Sequence, residues 1–203
     1  MILPSQNVEN QPKERHGPFI IAGLGNPGRK FEHNRHNIGF MLLNRLSNKL
    51  KESFGKVEAK ALVCKANYQG ERIILVKPQT YMNNSGMSVS SLVRFYQVSL
   101  ENLLVTYDDV DLPFGVLRLR PSGGSGGQNG MQSIIERLGT EDFPRMRIGT
   151  GRPPGRMDAA DYVLQDFTAQ ETELLNDILD RGVEAVLTFI SSGMDMAMNA
   201  FNG

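Results

Sequence analysis

Phe19-Ile-Ile-Ala-Gly-Leu24, followed at once by Gly25-Asn26-Pro27-Gly28, is the stretch on which the fold turns. A short apolar run stopped by a Gly-Asn-Pro-Gly turn reads as a buried strand. Beyond it, Ile38, Met41, Leu42, Leu46 and Leu50 recur at helical spacing, which predicts a helix from about residue 37 to 51. Residues 59–66 and 72–76 read as paired strands joined around Tyr68-Gln69-Gly70 and closed by Pro78. Asn84 and Ser85 are placed to cap a helix that carries Val89, Leu92, Val93 and Tyr96 on one stripe. Further strands are predicted over 103–107, 115–120 and 146–149, with helices over 131–138 and 168–189. Strands and helices interleave, so the expected class is α/β, a single-domain sandwich with a central mixed β-sheet flanked by helices.

The length of 203 residues suits one medium-sized core, expected over 18–203 after a polar leader at 1–17. With 40% apolar and 22% charged residues the composition is that of a globular domain, not of a disordered chain or coiled coil. Apolar runs such as Ile73 to Val76 are far shorter than the roughly 20 residues that span a bilayer, and the polar N-terminus lacks a signal-peptide core. The single cysteine, Cys64, lies in an apolar stretch, where a buried thiol in a reducing cytoplasm is expected. The net charge of zero conceals a division. Residues 1–157 carry 21 Lys and Arg against 13 acids (21 − 13 = +8), and residues 158–203 carry one Arg against nine acids (1 − 9 = −8). A basic excess over three quarters of the chain is compatible with a polyanionic partner.

Gly23 to Gly28 satisfies G-x-G-x-x-G, yet residues 29–37 are polar where a dinucleotide-binding helix should start. No acidic ribose partner follows at the required distance either, so a nicotinamide or flavin site is disfavoured. His36 sits at a loop-to-helix junction, where an imidazole can act as a general base or simply cap a helix. His16 and His33 lie in polar segments and read as surface residues, and three His with one Cys lack any zinc-ligand spacing. Asp108, Asp109 and Asp111 gather at a strand end, where they either recruit a metal or include one carboxylate that orients a histidine. Arg118 and Arg120 alternate with Leu117 and Leu119, so both guanidinium groups share one strand face suited to a phosphate. The segment 121–130 holds five glycines without a P-loop lysine, a candidate mobile lid, and ends at Asn129, which either caps the next helix or faces a ligand.

Six windows in this order, Gly23-Leu-Gly-Asn-Pro-Gly28, Arg35-His36-Asn37-Ile-Gly39, Thr80-Tyr-Met-Asn83-Asn-Ser-Gly86, Asp108-Asp-Val-Asp-Leu-Pro113, Gly126-Gly-Gln-Asn-Gly130 and Arg147-Ile-Gly149, closely resemble bacterial-type peptidyl-tRNA hydrolases over residues 19–167. The resemblance implies a monomeric, cytoplasmic α/β hydrolase that cleaves the ester between a peptide and the tRNA 3′ end without metal or cofactor. It implies His36 as the base and Asp108 as its partner, with Asn26, Phe31, Met82 and Asn83 contacting substrate and Asn129 holding the peptide or the attacking water. With a tRNA substrate, the shared basic strand face leads to the expectation that Arg118 and Arg120, with Lys and Arg from the preceding segment, meet the acceptor stem or its 5′-phosphate. The sequence departs from the usual pattern at Phe31, where a tyrosine is common, at Asn34, usually threonine, and at Gln128, frequently histidine. The absence of a Ser or Cys nucleophile elbow fits attack by water. The rival classes are a non-catalytic RNA-binding member of the superfamily and a nucleotide-dependent oxidoreductase.

Overall fold

The computed structural model describes residues 17–202, so the expected leader, apart from Gly17, lies outside the described residues. Among the described residues seven strands are interleaved with six α-helices in the order β1 (Phe19–Gly23), α1 (Ile38–Lys49), β2 (Lys56–Glu58), β3 (Ala61–Tyr68), β4 (Glu71–Pro78), α2 (Ser85–Phe95), β5 (Leu103–Asp109), β6 (Leu117–Arg120), α3 (Asn129–Leu138), β7 (Arg145–Gly149), α4 (Ala159–Val163), α5 (Ala169–Ser192) and α6 (Met194–Phe201). They form one sheet in the order β2-β3-β4-β1-β5-β7-β6. β1, at the centre, runs parallel to both β4 and β5, and β5 parallel to β7, whereas β2-β3, β3-β4 and β6-β7 are antiparallel. The expected mixed sheet is present.

Alternation along the central strands divides the core in two. Phe19 and Ile21 of β1, with Ile73 and Leu75 of β4, pack under α1, α5 and α6, and Phe189 of α5 meets Phe19 edge to face at 5.7 Å. Ile20, Ala22, Ile74 and Val76 face α2 and α3 on the other side. Because β1 is covered on both faces it must be apolar throughout, which is why a five-residue run without a polar member was readable as its signature. Cys64 is buried in β3, and burial pushes its thiol up.

Three elements differ from expectation at their ends. α2 begins at Ser85, but neither Asn84 nor Ser85 caps it: the Ser85 hydroxyl donates back to the Met82 carbonyl at 2.8 Å, closing the 3-10 turn Met82–Asn84. α3 begins at Asn129, and its side-chain cap is Gln128 rather than Asn129. α5 is held by a capping box of Thr168 and Glu171 and extends to Ser192. Among the described residues no helix is long and apolar enough to cross a membrane.

Candidate active site

Parallel strands that diverge on either side of a central one leave a crevice beyond their C-terminal ends. Here β1, β4 and β5 deliver the Leu24–Gly28, Gln79–Met82 and Asp108–Asp111 segments to one place. Two asparagine side chains tie these loops together. Asn37 Oδ1 accepts from the Asn26 backbone N–H at 2.8 Å while its Nδ2 donates to the Asn26 carbonyl at 2.9 Å. Asn26 Oδ1 then accepts from the Met82 N–H at 2.9 Å, leaving its Nδ2 without a partner among the described residues. The start of α1 lies unusually near β1: a Cβ on Gly39 would sit 2.5 Å from the Leu24 nitrogen and 2.6 Å from the Thr106 oxygen. That close approach carries the 3-10 turn Arg35–Asn37 over the sheet's end.

His36 projects from this turn towards β5, where its Nδ1 lies 2.8 Å from Asp108 Oδ2. An ionised carboxylate only accepts, so Nδ1 carries the proton and donates, and Nε2 is left as the open ring nitrogen. Asp108 is buried, and its other oxygen, Oδ1, accepts from Gln128 Nε2 at 3.2 Å. A cleft of about 610 Å³ opens over the pair, and Asn26, His36, Met82, Asn83, Asp108 and Asn129 all line it. Asp158, Ala159, Ala160, Val163 and Leu164, at and around α4, form a further wall.

The three carboxylates that sequence left open between metal and histidine go separate ways. Asp108 meets His36, Asp109 pairs with Arg147, and Asp111 pairs with Arg152 at 2.7 Å. Among the described residues no three His, Cys, Asp or Glu side chains are grouped to hold a metal ion.

Phe31, Arg118 and Arg120 are outside the cleft lining. Phe31 occupies the 3-10 turn Arg29–Phe31 with the Lys30 ammonium 4.7 Å from its ring centre. Arg118 lies opposite Arg147 across the β6-β7 pair, so the basic strand face adjoins the Asp109 pair next to Asp108.

Sequence reasoning missed three contributors. Arg35, although buried, donates to the Asp166 carbonyl at 2.8 Å and to Glu171 Oε2 at 2.6 Å, with its guanidinium 4.2 Å from the Tyr162 ring centre. It thereby ties the segment between α4 and α5 to the residue beside His36. Arg145 is fully buried and donates to the carbonyls of Gly124, Glu141 and Phe143, pinning the base of the glycine-rich segment. Its tip, with Gly126 and Gly127 at positive φ, lines the cleft. The third is Gln128, visible in the sequence only as a departure.

Comparison with known proteins agrees with this geometry. The family model described as peptidyl-tRNA hydrolase matches residues 20–203. The chain belongs to the peptidyl-tRNA hydrolase family. It is 47% identical over 185 residues to the peptidyl-tRNA hydrolase of Thermoanaerobacter sp. (strain X514), covering 91% of this chain and 100% of that one. It is likewise 47% identical over 201 residues to the chloroplastic peptidyl-tRNA hydrolase of Arabidopsis thaliana, covering 98% of this chain and 69% of the relative. A crystal structure of the Acinetobacter baumannii peptidyl-tRNA hydrolase superposes with a TM-score of 0.86 at 33% identity, covering 92% of this chain and 95% of that one. The chain is therefore a hydrolase of the peptidyl-tRNA hydrolase family, and the oxidoreductase reading is set aside.

Proposed function

We propose that His36 is the general base in hydrolysis of the ester joining a peptide to the 3′ end of tRNA. The observation that carries the proposal is the 2.8 Å contact of His36 Nδ1 with Asp108, which makes Nε2 the proton acceptor facing the cleft. Water loses a proton to Nε2 as its oxygen attacks the ester carbonyl carbon. The C–O bond to ribose then breaks, and the leaving alkoxide takes the proton back from the imidazolium. The products are a peptide carboxylic acid and a tRNA with a free ribose hydroxyl.

Asp108 holds the ring in the reactive tautomer and stabilises its protonated form. The unpartnered Nδ2 of Asn26 and the exposed amides of Asn83 and Asn129 supply neutral donors for the substrate and the developing oxyanion. Met82 gives the cleft an apolar floor, and Phe31 with its neighbouring Lys30 offers a stacking and phosphate contact outside it. Arg118 and Arg120 hold the acceptor stem or its 5′-phosphate, where they position without reading sequence. The enzyme acts as a cytoplasmic monomer with no cofactor.

The test is hydrolysis of an N-blocked aminoacyl-tRNA. His36→Ala should lower kcat at least about 10²-fold. A variant with near-wild-type kcat overturns the assignment.

A further inference from the structure

We propose that Gln128 is a positioning residue for this reaction: its side-chain amide, locked in one orientation by the N-terminus of α3, holds the carboxylate that orients His36. The inference rests on the general-base reading above and adds to it a third member that is neutral at every pH.

The polarity of the amide follows from its neighbours. Gln128 Oε1 lies 2.8 Å from the backbone nitrogen of Met131, and a backbone N–H can only donate. Oε1 is therefore the atom on that side, and Nε2 is the atom 3.2 Å from Asp108 Oδ1. Rotating the amide by half a turn would set NH2 against N–H and oxygen against carboxylate, two repulsive contacts in place of two hydrogen bonds. The α3 cap thus decides which group meets Asp108, and that group is always a donor. Nε2 also lies 3.4 Å from Met82 Sδ, so the thioether fills the other side of the amide.

The carboxylate is consequently engaged at both ends, Oδ2 by His36 and Oδ1 by Gln128. Two bonds at opposite oxygens fix its plane, and with it the direction of the His36 ring. The charges around the pair come from several elements. Asp109 of β5 is paired with Arg147 of β7, Arg35 of the adjoining turn is paired with Glu171 of α5, and Asp158 stands at the cap of α4 on another wall of the cleft. Tyr107 of β5 feels the charges of Asp108, Arg145 and Arg147, and burial holds its phenol neutral, its pKa pushed up to about 12. Among the described residues none of these groups hydrogen-bonds Asp108, and Gln128 is the only side chain besides His36 that hydrogen-bonds its carboxylate. A histidine at this position, as the family resemblance would lead one to expect, would be able to gain a charge beside Asp108. The amide cannot.

The decisive variant is Gln128→Glu, which keeps the shape and leaves one oxygen to accept from Met131 N–H, so the α3 cap survives. The other oxygen turns a donor into a second negative charge beside Asp108. Pre-steady-state hydrolysis of an N-blocked aminoacyl-tRNA is followed from pH 5 to 9 for wild type, Gln128→Glu, Gln128→Ala and His36→Ala, with a thermal melt of each. In Gln128→Glu the acid limb of kcat/KM should move up by roughly half a pH unit or more, and the melting temperature should fall at neutral pH, where the two carboxylates repel. In Gln128→Ala kcat should fall about tenfold or more while KM stays within about twofold, since orientation and not binding is lost. A cap-only role predicts the reverse: Gln128→Ala melts lower with its kcat intact, and Gln128→Glu is kinetically silent. That pattern, with His36→Ala inactive, overturns the proposal for Gln128 alone. A fully active His36→Ala would instead overturn the general-base reading on which it stands.

Discussion

Asp108→Asn should separate the geometry of the site from its chemistry. The substitution replaces one carboxylate oxygen by an NH2, and the two neighbours of Asp108 are both donors in the wild type: His36 Nδ1–H at 2.8 Å and Gln128 Nε2 at 3.2 Å. Because the Met131 N–H fixes the Gln128 amide, Gln128 remains a donor and claims the new Oδ1. The asparagine NH2 then faces His36, and the ring can accept from it only by moving its own proton from Nδ1 to Nε2. Every hydrogen bond is kept, so stability should change by no more than about 1 kcal/mol. The nitrogen that must receive the water proton is now occupied.

The size of the loss follows in two steps. To regain the reactive tautomer the asparagine must turn its NH2 against the Gln128 NH2, leaving a buried donor unsatisfied at about 1–3 kcal/mol, or roughly 5- to 160-fold in population. Losing the carboxylate's charged hydrogen bond to the imidazolium adds about 1.5–3 kcal/mol. Together they place the fall in kcat at about 10²–10⁴-fold, with KM little moved. Single-turnover hydrolysis of N-blocked aminoacyl-tRNA gives the rate, a denaturant melt gives the stability, and ¹⁵N NMR of the ring reports which nitrogen is protonated. A loss below about tenfold in a fully folded variant would refute the reasoning. So would a large loss in a variant whose Nδ1 still carries the proton.

Three further outcomes are expected. Reversing both Arg118 and Arg120 to Glu should raise KM for full-length peptidyl-tRNA and flatten its dependence on salt, while a minimal ester lacking the stem is little affected; equal losses on both would assign the arginines to folding. Gly39→Ala places a methyl 2.5 Å from the Leu24 nitrogen and 2.6 Å from the Thr106 oxygen, so a denaturant melt should show a loss of at least about 1–3 kcal/mol and kcat should fall as the His36 turn shifts; an unchanged melt would show that α1 can move aside freely. The Tyr107 phenol is pushed up by burial from 10.0 to about 12, so the stability it contributes is fully present below pH 10 and is lost between pH 10 and 12 as the unfolded chain ionises first; Tyr107→Phe should flatten that alkaline limb of the melting curve, and an identical limb in the variant would contradict it.

How far the sequence reveals this molecule depends on how strongly each feature is coupled to burial. β1 and α1 were legible because a strand covered on both faces and a helix with one buried stripe must repeat apolar residues at fixed spacing. β2 was not, since its Lys56 and Val57 are exposed and three residues at a sheet edge carry no such pattern. α4, five residues long, and α6, which starts directly after Gly193, are too short or too close to a longer helix to stand apart. At the site, the strand-end positions of Asn26 and Asp108 were readable, and so was the turn that holds His36. The pairing of His36 with Asp108 came from the family resemblance and not from the residues themselves, because three carboxylates compete in that segment and it is the alternation of side chains along β5 that sends Asp108 towards His36 and Asp109 towards Arg147. The cap of α3, one of the two roles left open for Asn129, falls one residue earlier, on Gln128, for a related reason. Asn129 is the better capping residue by type, but the tertiary contact with Asp108 goes to the residue before it.

The charge division in the sequence acquires a direction once the helices are placed. Acids of α5 are drawn to the cations nearest α1: Glu171 to Arg35 at 2.6 Å, Asp180 to Arg45 at 2.6 Å and Glu184 to Lys49 at 3.3 Å. The last two pairs are exposed and contribute little to stability, yet each turns a positive charge into a short dipole whose field fades within a Debye length of about 8–10 Å. Lys77 and Arg145 withdraw two more cations from the surface, because both are buried and burial pulls both down. Arg118 and Arg120 have no acidic partner among the described residues, and neither do Arg29 and Lys30 beside the cleft's outer turn. Pairing with α5 therefore cancels positive charge on the α1 side, while Arg118 and Arg120 on β6 and Arg29 and Lys30 on the outer turn stay among the cations that no acid of the described residues neutralises. A polyanion docking on β6 as proposed would lie beside β7, the strand whose other neighbour, β5, presents Asp108.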